Sequence, residues 1–136
     1  MNKALSYLSI ARKAGRAELG EEPVAAVTRE GKSALVLVAS DASDHTWRRA
    51  QSFIAHSAQP CIRLHATKAE MGAAVGRGEL AIAAITDAPL ALALAMADDP
   101  PNPAAVAALE SKAARSRQRA REAKAHERNK RAGKKK

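Results

Sequence analysis

One cysteine, Cys61, is all the chain contains, which rules out an internal disulfide and a cysteine-built zinc cage. Aromatic side chains are nearly absent: one Phe, one Trp and one Tyr. The core must therefore rest on Leu, Ile, Val and Met. No apolar run approaches the about 20 residues that a membrane-spanning helix needs, and no charged-then-apolar leader pattern is seen. A reduced, cytoplasmic setting with no membrane partner is the expectation. His45, His56, His65 and His126 fall at no metal-ligand spacing, and no H-E-x-x-H frame occurs. G-x-S-x-G, P-loop and G-x-G-x-x-G patterns are missing too, and Gly72, Gly76 and Gly78 form no phosphate cradle. With these absences, an enzyme, a metal and a cofactor are not expected.

What is present is unevenly placed. The length of 136 residues suits one domain. The net charge of +9 is an average of two unlike parts. From residue 111 onward there are twelve Lys/Arg and two Glu, whereas the rest has eleven Lys/Arg and twelve Asp/Glu. A near-neutral body thus carries a strongly basic tail. Basic runs are solvated and commonly dock on nucleic acid. The chain also has 34 alanines, strong helix formers that bury little area. A modest core and moderate stability follow.

The stretch 31–44, GKSALVLVASDASD, organises the rest. Its centre, ALVLVA, is a short apolar run bounded by polar residues, which predicts a strand (33–39) covered on both faces. Before it, a helix is predicted over 2–14, with Leu5, Leu8 and Ala11 on one face. Arg12 and Lys13 in its last turn and Gly15 just beyond match C-terminal preferences. Residues 16–19 read as a short extended link. A second helix is predicted over 20–30, with Glu21 and Glu22 at its positive end and Pro23 tolerated in the first turn. Val24 and Val27 face inward from it.

After the central strand, Ser43 or Asp44 caps a third helix running to about 57. Its stripe of Trp47, Ala50 and Ile54 reads as core rather than as a base-stacking surface. Residues 60–64 form a second strand, in which Cys61 reads as a small buried thiol. Thr67 and Glu70 fit a capping box opening a helix with Met71 and Val75 that stops near Gly76. Residues 79–86 form a third strand. Asp87 caps a helix through 97, with Pro89 in its first turn. DDPPNP, 98–103, is a linker. Asn102 and Pro103 then open a last helix, on which Val106 and Leu109 supply one apolar turn. Beyond them nothing larger than Ala offers a stripe, so in isolation the tail should fray.

Two places invite chemistry. Asp41 and Asp44 follow the central strand at spacing three and in principle suit a magnesium ion, but a turn plus a helix cap explains them as well. The start of the second helix, Gly20-Glu21-Glu22, has Lys13, Arg16 and Lys32 near it in sequence. Backbone N–H groups at a helix start can meet phosphate or base acceptors, and a Glu there can accept from a base amino group. The plainer reading is that these glutamates only offset the helix dipole.

The order of ARKAGRAELGEEPVAAVTREGKSALVLVASDAS, then TKAEMGAAVG, then LAIAAITD, resembles the kink-turn-binding ribosomal protein superfamily, and most of all its bacterial YlxQ-type members. The match runs from about Leu5 to Ala97. The resemblance implies a three-layer α/β/α sandwich with a small mixed four-stranded sheet, to which the basic tail, helical or disordered, is added. It implies RNA binding through the start of the second helix and through a later loop, here Arg77, Gly78, Glu79 and Leu80. Archaeal members carry G-x-N-E-x-x-K at the helix start, where Asn, Glu and Lys read sheared G·A pairs. Here Gly20 matches the glycine, while Glu22, Pro23 and Ala26 stand in place of Asn, Glu and Lys.

The expected organisation is an RNA-binding domain over 1–97, a proline-rich linker over 98–103 and a basic tail over 104–136. The expected function is a non-catalytic, ribosome-associated protein, a monomer, that docks a structured, kink-turn-like RNA. The contacts would be Lys13, Arg16, Gly20, Glu21, Glu22, Lys32 and the 77–80 loop, with the tail adding nonspecific phosphate contacts. A protein–protein adaptor in ribosome assembly or stress response is the alternative on the same fold. A third is a substrate-binding piece for a separate RNA methyltransferase subunit.

Overall fold

The computed structural model describes residues 2–57 and 59–134, with side chains to residue 130. The last two lysines of the basic tail lie outside the described residues. In chain order the elements are α1 (Ala4–Lys13), β1 (Ala17–Leu19), α2 (Glu21–Arg29), β2 (Leu35–Val38), α3 (Asp44–Phe53), β3 (Cys61–Arg63), α4 (Lys68–Ala74), β4 (Ile82–Ile85), α5 (Ala88–Ala97) and α6 (Pro103–Lys134). The four strands lie in the order β1-β4-β2-β3. β4 runs antiparallel to both β1 and β2, and β2 runs parallel to β3, so the sheet is mixed.

Leu35, Val36, Leu37 and Val38 of β2 are all buried, as are the four residues of β4. Neither strand alternates apolar with polar, because helices cover both faces of the sheet. α2 and α3 pack together against β1, β2 and β4 on one face. α1, α4, α5 and α6 pack as a chain of neighbours on the other. This is the three-layer α/β/α sandwich and mixed four-stranded sheet that the sequence led us to expect. The core between the layers is aliphatic, with Leu8, Leu35, Leu37, Leu64, Met71 and Ile82 among its largest fully buried side chains.

Local signals set most helix starts. Thr67 Oγ1 accepts from the Glu70 N–H at 3.1 Å while Glu70 Oε1 accepts from the Thr67 N–H at 2.9 Å, completing the capping box. Ser43 caps α3, Asp87 caps α5 and Asn102 accepts from the Ala105 N–H at 3.0 Å. Three elements differ from expectation in kind or by more than a residue or two at an end. The 16–19 link is a true edge strand, β1, paired with β4. α3 ends at Phe53, and the residues to Ser57 form turns closed by the Ser57 N–H on the Ile54 carbonyl at 3.0 Å. β4 begins only at Ile82, because the Leu80 N–H is committed to the Lys68 carbonyl at 3.0 Å.

α5, APLALALAMA, is apolar all round, which suits a helix covered on several sides. One of its covers is α6. Ala105, Leu109 and Ala113 are buried at successive four-residue steps, one stripe of a helix, and small residues let the two helices approach closely. α6 is thus docked over its first third, and from Arg117 to Lys130 it is exposed. Asp98, 2% exposed, anchors the turn between α5 and α6: its carboxylate accepts from Asn2 Nδ2 at 2.7 Å and from the His65 N–H at 3.2 Å.

Candidate nucleic-acid interface

The strand directions bring one set of loops to one end of the sheet. Gly20 closes β1 there, and its N–H donates to the Ile82 carbonyl at 3.0 Å. Ala39, just past β2, donates to Ala81 at 2.9 Å, and Ser40 donates to Ala66, past β3, at 2.8 Å. The start of α2, the 40–44 turn, the start of α4 and the 77–80 loop therefore share one face.

Gly20 sits at φ 98, ψ 163, a left-handed backbone that glycine adopts without strain, and acts as the N-cap of α2. No side chain caps this helix start, so N–H groups of its first turn stay available to an outside acceptor. Glu21 is not a free base reader: its Oε2 pairs with Arg49 Nε of α3 at 3.1 Å, and Arg49 also lies over the Phe53 ring at 5.4 Å. Glu22 is exposed and has no ion pair among the described residues.

The 77–80 loop is held from below. The Arg77 N–H donates to the Gly72 carbonyl at 2.8 Å, alongside the bond from Leu80 to Lys68. A Cβ on Gly72 would lie 2.6 Å from the Gly78 carbonyl oxygen and 2.9 Å from the Glu79 Cα, so only glycine lets α4 press this close to the loop. Arg77, Gly78 and Glu79 are exposed. Leu80 is 4% exposed, so its side chain belongs to the core and leaves only Arg77, Gly78 and Glu79 to present outward.

Sequence reasoning missed Lys68 and Gly72. The Lys68 N–H donates to Asp41 Oδ1 at 2.8 Å, and Lys68 Nζ reaches Glu79 Oε2 at 3.9 Å. A lysine in the first turn of a helix opposes the dipole, and that mismatch was the available signal. The same bond accounts for Asp41, while Asp44 opens α3 and lies 3.8 Å from Arg63 Nη2. Arg63 in turn sits over the Trp47 ring at 4.9 Å, and the stripe residue Trp47 is partly buried against the edge of the core. Among the described residues no group of three or more His, Cys, Asp and Glu is placed to hold a metal ion, and no helix is long and apolar enough to cross a membrane.

Lys13, Arg16 and Lys32 are not on this face. Arg16 precedes β1 and Gly20 follows it, about 13 Å apart at strand rise. The Arg16 carbonyl accepts from the Thr86 N–H at 2.9 Å, past the far end of β4, and Lys32 precedes β2 at that same far end. Lys13 ends α1, three residues before Arg16. The expected site thus divides. Gly20, Glu21, Glu22, Arg77, Gly78 and Glu79 come together, and Lys13, Arg16 and Lys32 lie toward the opposite end. There α6 brings Lys112, Arg115 and Arg119 beside Lys32, around a cleft of about 310 Å³.

The architecture defines a three-layer α/β/α protein built on a mixed four-stranded sheet. No family model matches the chain. It is 32% identical over 75 residues to the RNA-binding protein YlxQ of Enterococcus faecium, covering 55% of this chain and 72% of that one. The chain belongs to the YlxQ family. A solved protein of unknown function from Bacillus halodurans superposes with a TM-score of 0.67 at 28% identity, covering 73% of this chain and 99% of that one. A Giardia lamblia 15.5kD RNA binding protein superposes with a TM-score of 0.50 at 14% identity over 82% of each chain, a likeness of fold alone.

Proposed function

We propose that this chain is a non-catalytic, monomeric, cytoplasmic RNA-binding protein that docks a structured, kink-turn-like RNA on ribosomal or related particles. The carrying observation is the face where the uncapped start of α2, at Gly20, meets the exposed Arg77–Gly78–Glu79 loop. Such a face offers backbone donors, a free carboxylate at Glu22 and cations at Arg77 and Lys68, the mixture that reads base edges and phosphates together. The E. faecium relative, named for RNA binding, supports the reading. Pro23 and Ala26 supply neither the acid nor the lysine of the archaeal pattern, so recognition would rest on Glu22 and the second loop.

The test is a titration of full-length protein with a kink-turn RNA and with an unpaired RNA of equal length. Substitution of Arg77 by Gln together with Glu22 by Lys is expected to abolish the preference for the kink-turn. Equal affinity of the wild-type protein for both RNAs would sink the structured-RNA reading and leave the adaptor reading. A chain ending at Ser116, which keeps the buried Leu109 of α6, separates the contribution of the exposed tail.

A further inference from the structure

Lys112, Arg115 and Arg119 follow one another at spacings of three and four, so they share one face of α6. That face turns over the end of the sheet where Lys32 and Ser33 lead into β2, and the five residues line the same cleft of about 310 Å³. Lys112 is half-buried and its Nζ donates to the Ser33 carbonyl at 3.4 Å. Ser33 is 3% exposed, and its hydroxyl has no hydrogen-bond partner among the described residues. The carboxylate that lines the cleft, Asp87, is committed to capping α5, where its Oδ2 accepts from the Leu90 N–H at 3.0 Å. Among the described residues, Lys112, Arg115 and Arg119 make no ion pair with any carboxylate. Lys32 pairs with Glu30 at 3.5 Å, but both side chains are well exposed and the pair is weak.

Cations crowded together with no counter-charge repel one another. Burial first, and then the Arg115 guanidinium, hold the Lys112 ammonium below its ordinary range. An anion in the cleft relieves that repulsion, and two guanidinium forks with an ammonium suit the oxygens of a phosphate.

We propose that the cleft between the lead-in to β2 and α6 is a fixed second anion site that takes a phosphate group, supplied by the backbone of the bound RNA. The inference rests on the RNA-binding reading for the source of the phosphate, and it changes what the basic helix does. Part of α6 is then a placed contact at the far end of the sheet, and only its exposed stripe of Arg117, Arg121, Lys124 and Arg128 acts by diffuse charge. The docked RNA would span the sheet from the Gly20 end to the Lys32 end.

The experiment compares two full-length variants of equal charge change, Arg115→Gln/Arg119→Gln in the cleft and Arg121→Gln/Lys124→Gln on the stripe. Each is titrated with the kink-turn RNA over a range of salt. Amide signals of residues 31–33 are followed by NMR with that RNA and, separately, with inorganic phosphate. The cleft variant should lose about 1.4 to 1.8 from the salt slope and bind roughly tenfold or more weakly near 0.1 M salt, with the stripe variant losing less than half of that. The 31–33 amides should move with RNA in the wild type and stay still in the cleft variant. Equal losses in the two variants, or tight RNA binding with unmoved 31–33 amides, overturn the cleft and leave the RNA reading standing. Phosphate shifts at 31–33 without RNA binding by the wild type keep the anion site, assign it to free phosphate and overturn the RNA reading.

Discussion

The two ends of the sheet are made from opposite materials. At the Gly20 end, charges are few and mostly matched: Glu21 with Arg49, Lys68 with Glu79, and Asp41 with the Lys68 N–H. At the Lys32 end, Lys112, Arg115 and Arg119 gather with no carboxylate partner among the described residues. The first end is shaped by backbone, through a left-handed Gly20 and a Gly72 pressed on the loop above it. The second is shaped by a docked helix. A surface built of matched charge and fixed backbone discriminates by geometry, whereas one of unmatched cations holds any phosphate that reaches it. On the proposed reading the fold would separate recognition from grip, and the two could be broken independently.

The largest expected effect comes from Leu109→Ala, which empties a fully buried site between α5 and α6. It should cost about 2–5 kcal/mol in urea unfolding and release the cationic end. Cys61 reports that release, since it lies with Ala104, Ala105 and Ala108 of α6 along one groove. Burial pushes its thiol up to about 12, against a smaller downward pull from Arg63. In the native chain its alkylation rate should therefore keep climbing above pH 9, because the thiolate fraction is still growing there; in the variant the climb should level off earlier.

Next in size is Gly72→Ala. The added methyl must displace the backbone of residues 78–79, at a cost of about 1–3 kcal/mol. Kink-turn affinity should fall while binding of the unpaired RNA, carried by the other end, stays within twofold. A loss of both together would mean that the ends are not separable. Thr67→Ala removes one side of the capping box under the same loop, for about 1 kcal/mol in the urea midpoint. Smallest is Arg49→Ala. Its pair with Glu21 is partly exposed on both sides, so stability should change by at most about 1 kcal/mol. Its value lies in freeing Glu21: a gain in kink-turn affinity would show that this ion pair restrains the recognition end.

How much of this was legible in the chain follows from the range of each interaction. The caps at Ser43, Thr67, Asp87 and Asn102 were readable because each bond spans three residues. The all-apolar run of β2 was readable because a strand covered on both faces has no reason to alternate. The grouping of Arg16 and Lys32 with Gly20 failed for the opposite reason. Neighbours in sequence become opposite ends once a strand runs between them, and β1 had looked like a mere link. Gly72 was unreadable as a loop support, since a missing side chain signals nothing until the distant backbone it admits is known. The docking of α6 was only half visible. Leu109 stood out, but Ala105 and Ala113 were lost among so many alanines.

The exposed length of α6 bears on encounter as well as on the complex. From Ser116 to Lys130 it advances about 21 Å at helical rise, beyond the body that anchors its first turns. A cationic arm of that reach enlarges the target that a diffusing polyanion must hit and draws it in from a Debye length away. Salt should then slow the association rate steeply through the arm, while on the proposed reading the lifetime of the complex would be set by the two ends of the sheet.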